Sequence, residues 1–420
     1  MPGTEPEAAA RAADPPLRLV AVAPYPPQEG GAARSNALLL RGLAARGHRV
    51  HVHASITPPE AGHDTRSVTD PPSLSVSRYV VPHFNLEPFD VGEYLTFQAM
   101  ELGRIRDTLP AQIERRAPDL LLCGHETLAA AAVDIADRHR LPLVQLLRGS
   151  PSWQIGAGVY PQRLAAAYLD HFRRADALVA VGRYLCEGLD RLGIGAVSHL
   201  PNFVDLDRFR PGPAPPGLRR RYGIGTEATV VLHASLMQSR KRPADVLEAA
   251  FLSLPTAPDL FFLFVGGGER AVELEAAAAR SPVADRIRFE PRVPYDEMPD
   301  HLRMADMVVL ASEGEGIPRI GLEAQACGRT FISSDIPAGR EIVSDGRDGL
   351  LYPTGSPASL SAAILTAAGD PALRRRLGRA ARRRVAPHAI DRVLDGYEAL
   401  LRSCAGRVDS VKRAAPRPSR

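Results

Sequence analysis

The chain has 420 residues, 45% of them hydrophobic and 24% charged, with 52 Lys and Arg against 48 Asp and Glu. That length is too great for one ordinary core and predicts two domains of roughly 150–200 residues each. The formal charge of +4 is no larger than Lys412, Arg413, Arg417 and Arg420 in the last nine residues can supply, so it argues for a solvated tail and against a nucleic-acid partner, with a weak membrane-surface contact as its other use.

Residues 1–16 are rich in Pro, Ala and Glu and read as a disordered tail. They lack a basic n-region and an apolar core and so do not form a signal peptide. Leu17–Ala23 then reads as a strand, Pro24–Gly31 as a loop, the stretch carrying Leu38, Leu39, Leu40 and Leu43 as a helix, and Arg49–Ala54 as a second strand. This βαβ unit predicts a parallel sheet. Residues 55–95, rich in Pro, Ser, Thr and Asp, read as long loops with edge strands, and 119–123, 143–147 and 177–181 as further strands. The Pro-rich run at 208–216 marks a linker, placed at 206–217. Beyond it the alternation restarts, with strands at 229–234, 260–265, 286–289, 307–311 and 330–333 and helices at 243–253 and 319–327. The expected organisation is an N-terminal domain over 17–205, a C-terminal domain over 218–387 and a basic tail over 408–420. Both domains are expected to be α/β and Rossmann-like, facing each other across a cleft. No run of about 18 apolar residues would span a membrane.

The most informative segment is Ser312-Glu-Gly-Glu-Gly-Ile-Pro-Arg-Ile-Gly-Leu-Glu323. It puts Glu315 in a loop after a strand and Glu323 in the opening turns of a helix. Two carboxylates accept hydrogen bonds from two diols, and the helix N-terminus between them favours phosphates. A nucleotide-sugar has that shape. Lys241, after another strand, supplies a point charge for a diphosphate. Gly30 and Gly31 permit close backbone approach to a phosphate or sugar, or else form a plain turn. His125 ends a strand and faces the cleft as an acceptor-side or a structural residue. Arg148 ends the next strand, where a fixed guanidinium favours an anionic partner. Glu313 stands two positions too far from Glu323 to serve. Asp205-Leu-Asp207 lies in the interdomain connection and reads as a turn, not a metal motif. The twelve histidines have no paired metal spacing, and the four cysteines, Cys123, Cys186, Cys327 and Cys404, contain no C-x-x-C pair. No metal and no cofactor is expected, and the cysteine usage fits a reducing cytoplasm.

The segment Glu315–Gly328 resembles the E-x7-E segment of family 4 glycosyltransferases, the retaining GT-B class. Further matches, in the family's order, are Gly30-Gly31 with Leu43-Ala-Ala-Arg-Gly-His48, Pro201–Pro211, Phe264–Gly268, Val293–Pro299 and Ser334–Pro353. The resemblance implies that Glu315 holds donor-sugar hydroxyls and Glu323 the ribose. It further implies that Lys241 and the amides near Gly316 and Ile317 stabilise the leaving diphosphate, and that backbone near Arg292 and Val293 reads the base. It also implies a C-terminal helix, 388–405, crossing back onto the first domain. One departure stands out: Ser235 occupies the position where the family carries an arginine, leaving Arg240 or Arg242 to replace that charge. The implied activity is metal-independent, retaining transfer of a hexose-type sugar from a nucleoside diphosphate sugar to a small-molecule, lipid-linked or glycan acceptor, in the cytoplasm or at the inner membrane surface. A nucleotide-sugar epimerase, a phosphorylase-like enzyme and a non-catalytic nucleotide-sugar-binding subunit are alternatives on the same scaffold. A dinucleotide dehydrogenase is disfavoured by the missing G-x-G-x-x-G fingerprint.

Overall fold

The computed structural model describes residues 14–28, 30–57, 70–82 and 91–414. The N-terminal half runs β1 (Arg18–Val22), α1 (Gly31–Ala45), β2 (Arg49–Ile56), β3 (Leu74–Val80), α2 (Val91–Arg116), β4 (Leu120–Cys123) and α3 (Ala129–His139). It continues through β5 (Leu143–Leu147), α4 (Ser152–Gly156), α5 (Gln162–Arg174), β6 (Ala177–Ala180), α6 (Arg183–Asp190) and β7 (Val197–His199). After the 206–217 connection come α7 (Leu218–Arg221), β8 (Thr229–Ala234), α8 (Pro243–Ser253), β9 (Leu260–Val265), α9 (Ala271–Ala279), β10 (Ile287–Glu290) and α10 (Met298–Met304). The last stretch is β11 (Met307–Leu310), α11 (Arg319–Ala326), β12 (Thr330–Ser334), α12 (Pro337–Ile342), β13 (Leu350–Tyr352), α13 (Pro357–Gly369), α14 (Pro371–Arg384) and α15 (Ile390–Ala414).

Apolar runs such as Leu120-Leu-Leu-Cys123 and Leu260-Phe-Phe-Leu-Phe-Val265 are buried on both faces, which suits parallel strands covered by helices on each side. Among the described residues the strands form two parallel sheets. One is seven-stranded, ordered β3-β2-β1-β4-β5-β6-β7, and the other six-stranded, ordered β10-β9-β8-β11-β12-β13. The architecture is GT-B: two Rossmann-like domains with a cleft between them. In each sheet the order reverses at one place, between β1 and β4 and between β8 and β11. Ligands of open α/β sheets bind beyond the strand ends at such reversals. Both reversals lie under the candidate residues.

The C-terminal helix α15 returns to the first domain. Val393, Leu394, Tyr397 and Leu401 share a core with Leu39, Leu40 and Leu43 of α1. Where the chain crosses twice between domains, Val204 and Ala389 form a parallel bridge, with Val204 N–H donating to the His388 carbonyl at 2.9 Å.

Two expectations need correction. Residues 408–414 belong to α15 rather than to a tail, because no proline interrupts the run before Pro416 and each added residue gains a helical hydrogen bond; residues 415–420 lie outside the described residues, as do 1–13. Residues 91–95, expected within a loop region, open α2, a 26-residue helix that also takes in 96–116, to which the sequence assigned no element. Of the remaining 55–95 stretch, 58–69 and 83–90 lie outside the described residues, and β3 is one of the two edge strands of its sheet. No helix among the described residues is long and apolar enough to cross a membrane.

Candidate active site

Because β8 and β11 lie side by side, the segments after them emerge together. Lys241, from the turn after β8, forms an ion pair with Glu315, from the loop after β11; their side chains are only 14% and 12% exposed. Ser312 Oγ donates to the same Glu315 Oε1 at 2.6 Å. Burial alone would raise the Glu315 carboxyl, but Lys241, Arg240 and Ser312 outweigh it and hold the group below the usual carboxylate range. Burial pulls the Lys241 ammonium down, and the Glu315 carboxylate opposes that. The direction that governs the pair is the carboxylate's: Glu315 is an anion.

Arg242 and Arg240 have different employments. Arg242 is bound to Asp245 (Nε–Oδ2 2.6 Å) and to Glu313 (Nη1–Oε1 2.8 Å). Glu313 is half exposed and outside the Lys241 pair, as its spacing implied. Arg240 is exposed, and its charge bears on Lys241, Glu315 and, across the cleft, His125. Of the two, Arg240 is the cation available to the site. Ser235 is a local structural residue: its Oγ bonds His233 Nε2 at 2.9 Å and donates to the Leu236 carbonyl at 3.1 Å.

Eight positions after Glu315, Glu323 is buried on α11. Its Oε1 accepts from Tyr295 Oη at 3.0 Å and from Arg319 Nη2 at 2.9 Å. Arg319 Nη2 also donates to Tyr295 Oη at 3.0 Å, while its Nη1 reaches the Phe203 carbonyl at 3.2 Å and Ser35 Oγ at 3.4 Å. Burial and then Glu323 push the Tyr295 phenol up, so it stays a donor. Two guanidinium groups stack on the Tyr295 ring, Arg34 of α1 at 3.8 Å and Arg208 of the connection at 4.6 Å from its centroid. Gly31, the first residue of α1, faces Arg319 Cδ and so borders the Glu323 side; Gly30 holds the positive φ of 109° that turns the chain into α1. Arg292 and Val293 follow β10, Arg292 exposed and Val293 half-buried, and lead into Tyr295. The sequence singled out none of Tyr295, Arg319 and Arg34. The i, i+4 pairing of Arg319 with Glu323 was the one available signal.

The first domain contributes the opposite wall. Glu126, next to His125 in sequence, is fully buried. Its Oε1 accepts from the amides of Arg148 at 2.9 Å and Gly149 at 3.0 Å and from the Ser152 hydroxyl, and so builds the turn between β5 and α4. His125 caps the turn after β4 through Nδ1, which accepts from Thr127 N–H at 3.3 Å, and burial lowers its pKa, so it is neutral. Arg148 corrects the expectation of an anion-facing cation. Its side chain is buried inward, with Nη2 on Asn36 Oδ1 at 2.7 Å and Nη1 on Asn202 Oδ1 at 3.4 Å. Burial lowers its pKa; neutral amides of α1 and the interdomain crossing take its two terminal nitrogens, and its buried Nε has no hydrogen-bond partner among the described residues.

The two walls meet at the 315–317 loop. Tyr184 Oη donates to the Glu315 carbonyl and lies 3.0 Å from the Gly316 carbonyl, and Asn202 Nδ2 donates to the Ile317 carbonyl at 2.8 Å. The first domain thus holds the carbonyls of this loop, and the amides of Gly316 and Ile317 take no part in these bonds. Asp205 Oδ1 accepts from the amides of Asp207 and Arg208, both at 3.0 Å, the turn expected of the Asp205-Leu-Asp207 sequence.

Two family models match the chain: one for glycosyltransferase family 4 over residues 29–208, and one for glycosyl transferases group 1 over 217–384. Among curated relatives, a D-inositol 3-phosphate glycosyltransferase of Geodermatophilus obscurus is 34% identical over 227 residues, 52% of this chain and 50% of the relative. A GDP-mannose-dependent alpha-(1-6)-phosphatidylinositol monomannoside mannosyltransferase of Mycolicibacterium smegmatis is 34% identical over 184 residues, 42% of this chain and 47% of the relative. The matched region thus spans about half the length of these relatives. Among solved structures, Anabaena HepE in complex with UDP and glucose has a TM-score of 0.71 at 17% identity, covering 92% of this chain and 100% of that one. Sucrose-phosphate synthase of Thermosynechococcus elongatus has a TM-score of 0.76 at 18% identity, covering 92% and 98%. Both structural likenesses are of fold.

Proposed function

Because the chain belongs to the glycosyltransferases that these two family models describe, we propose that it moves a hexose-type sugar from a nucleoside diphosphate sugar to a hydroxyl acceptor with retention of configuration. The observation that carries this is the pair of buried glutamates eight positions apart, each held by its own cation: Glu315 by Lys241 and Glu323 by Arg319. Glu323 would take the ribose. Among the described residues, its side-chain hydrogen bonds, from Tyr295 and Arg319, fall on Oε1. Glu315 would take donor-sugar hydroxyls. The diphosphate between the two rings would meet Lys241, Arg240 and the amides of Gly316 and Ile317, all near the N-terminus of α11. Arg292 and Val293, three and two positions before the Tyr295 that bonds Glu323, would take the base that follows the ribose.

In the transfer step the bond between the anomeric carbon and the diphosphate oxygen breaks, and the acceptor oxygen bonds to that carbon on the same face. The acceptor proton passes to the departing diphosphate. Negative charge grows on the leaving group, where preorganised cations and amides act most strongly. Since side chains and amides supply this stabilisation, no metal or cofactor is required. Cleft closure excludes water and so limits hydrolysis.

A thermal-shift screen with UDP-, GDP-, ADP- and dTDP-sugars tests donor binding, since a ligand present at a hundred times its Kd stabilises by about 2.7 kcal/mol. Stabilisation by one donor, followed by EDTA-insensitive transfer with retained configuration, is the expected outcome. Strict metal dependence, or an inverted product, would count against the proposal. A second reading, a non-catalytic nucleotide-sugar-binding subunit, draws support from Ser235; it predicts donor binding without turnover. Arg240 weighs against it by bringing a cation back to the site.

A further inference from the structure

A cavity of about 320 Å³ lies between α4, α6 and the loop after β11, with Trp153, Tyr184, Glu187, Arg191, Gly314 and Glu315 among its lining residues. We propose that this cavity binds the acceptor and that it selects an uncharged, hydroxyl-bearing ring. This rests on the glycosyltransferase reading above and specifies the acceptor's chemistry within it.

Size, surface and charge converge. The volume is near the lower end of the roughly 300–1,000 Å³ typical of small-molecule pockets, enough for one sugar or cyclitol ring. Trp153 is pressed against the loop that carries Glu315: a Cβ on Gly314 would stand 2.4 Å from the indole Cζ2. Tyr184, with its hydroxyl committed to the Glu315 and Gly316 carbonyls, adds a second aromatic ring. Aromatic faces suit the C–H faces of sugar rings, and such rigid side chains lose little entropy on binding. Glu315 belongs both to this cavity and to the Lys241 pair, so an acceptor seated here adjoins the donor-sugar position.

The charge audit gives the selectivity. The ionised lining groups are Glu187, Glu313, Glu315 and Arg191. Arg242 and Lys241 neutralise Glu313 and Glu315 from behind, and Glu187 and Arg191 are opposite in sign. Arg191 is the one cation among the lining residues. A phosphate monoester, with about −1.5 to −2 charges at pH 7, would have that single guanidinium to meet, with the Glu187 carboxylate, unpaired among the described residues, beside it in the lining. Neutral hydroxyls instead donate to the carboxylates and accept from Arg191. The cavity therefore differs in charge preference from what the inositol 3-phosphate relatives' names say those proteins act on.

Trp153 is the single tryptophan of the chain, so its emission reports the cavity directly. With a stabilising donor bound, the full chain is titrated with methyl glucoside, methyl mannoside and myo-inositol, and in parallel with glucose 6-phosphate, mannose 6-phosphate and inositol phosphate. The expected result is saturable change in Trp153 emission and at least ten-fold tighter binding for a neutral ring than for its phosphorylated counterpart. Trp153→Leu should raise the acceptor KM at least ten-fold while the donor-induced thermal shift persists. A phosphorylated ring bound more tightly, no response to any neutral ring, or an unchanged acceptor KM in a donor-binding Trp153→Leu protein overturns the inference and leaves the glycosyltransferase reading standing. Absence of donor binding by the wild type overturns both.

Discussion

Gly149 and Gly316 touch across the cleft, backbone to backbone. A Cβ on Gly149 would lie 2.5 Å from the Gly316 nitrogen, and one on Gly316 would lie 1.9 Å from the Arg148 carbonyl oxygen. Neither neighbour is a flexible side chain, so the domains must separate to admit even a methyl group. Gly316→Ala should therefore hold the cleft open. Transfer is expected to fall by roughly 100-fold, the scale of a 1 Å misplacement, with far-ultraviolet circular dichroism unchanged. Wild-type turnover in Gly316→Ala would show that this contact is not needed.

Lys241→Ala removes the partner of a buried anion as well as a cation for the leaving group. Transfer should drop roughly 10²–10³-fold, the cost of losing one preorganised donor. Stability should fall by about 3–5 kcal/mol, because Glu315 is left buried and uncompensated. Lys241→Met combined with Glu315→Gln should recover much of the stability and none of the activity. Urea melts beside transfer assays separate the two effects; full activity in a folded Lys241→Ala sinks the diphosphate role.

Arg240 and Arg242 should behave differently although only one residue separates them. Arg240→Ala is expected to lower kcat/KM for the donor roughly ten-fold or more, since its charge bears on the Lys241–Glu315 pair. Arg242→Ala loses its bonds to Asp245 and Glu313 and should mainly cost stability. Equal kinetic effects in the two variants would remove Arg240 as the substitute for the arginine missing at Ser235.

Acid should destabilise the first domain before its carboxylates titrate. His51 bonds Ser75 and Ser77, and His53 bonds Ser77 and Thr108, all between 2.7 and 2.9 Å. Burial, then the charges of Arg116 and the neighbouring His53, lower His51 to about 3, and burial lowers His53 to about 4. Unfolded histidines take up protons near pH 6.5, whereas the folded ones resist until these lower values. Their contribution is complete above about pH 6.5 and is lost as pH falls toward 4, at up to about 1.4 kcal/mol per pH unit for each histidine. Urea midpoints measured from pH 7 to pH 5 should decline with this slope, and His53→Gln should flatten it. An unchanged slope in His53→Gln would assign the acid sensitivity to other groups.

The sequence by itself determined the alternation of strands and helices, hence two parallel sheets, and the placement of Glu315 in a loop and Glu323 on a helix. Those features depend on local periodicity and on spacings of eight residues or fewer. It also separated Glu313 from the pair, because Glu313 sits at the wrong distance along the same short segment. Only the tertiary structure decided the surroundings of these residues. Arg319 meets Ser35 across 284 positions of sequence, Tyr184 holds a loop from the other domain, and Trp153 covers Gly314. Arg148 turned inward because Asn36 and Asn202, distant in sequence, supplied neutral acceptors at the interdomain crossing. Such contacts arise from the packing of two separately folded sheets. No period within either half of the chain encodes which side chains will face each other when the cleft is formed.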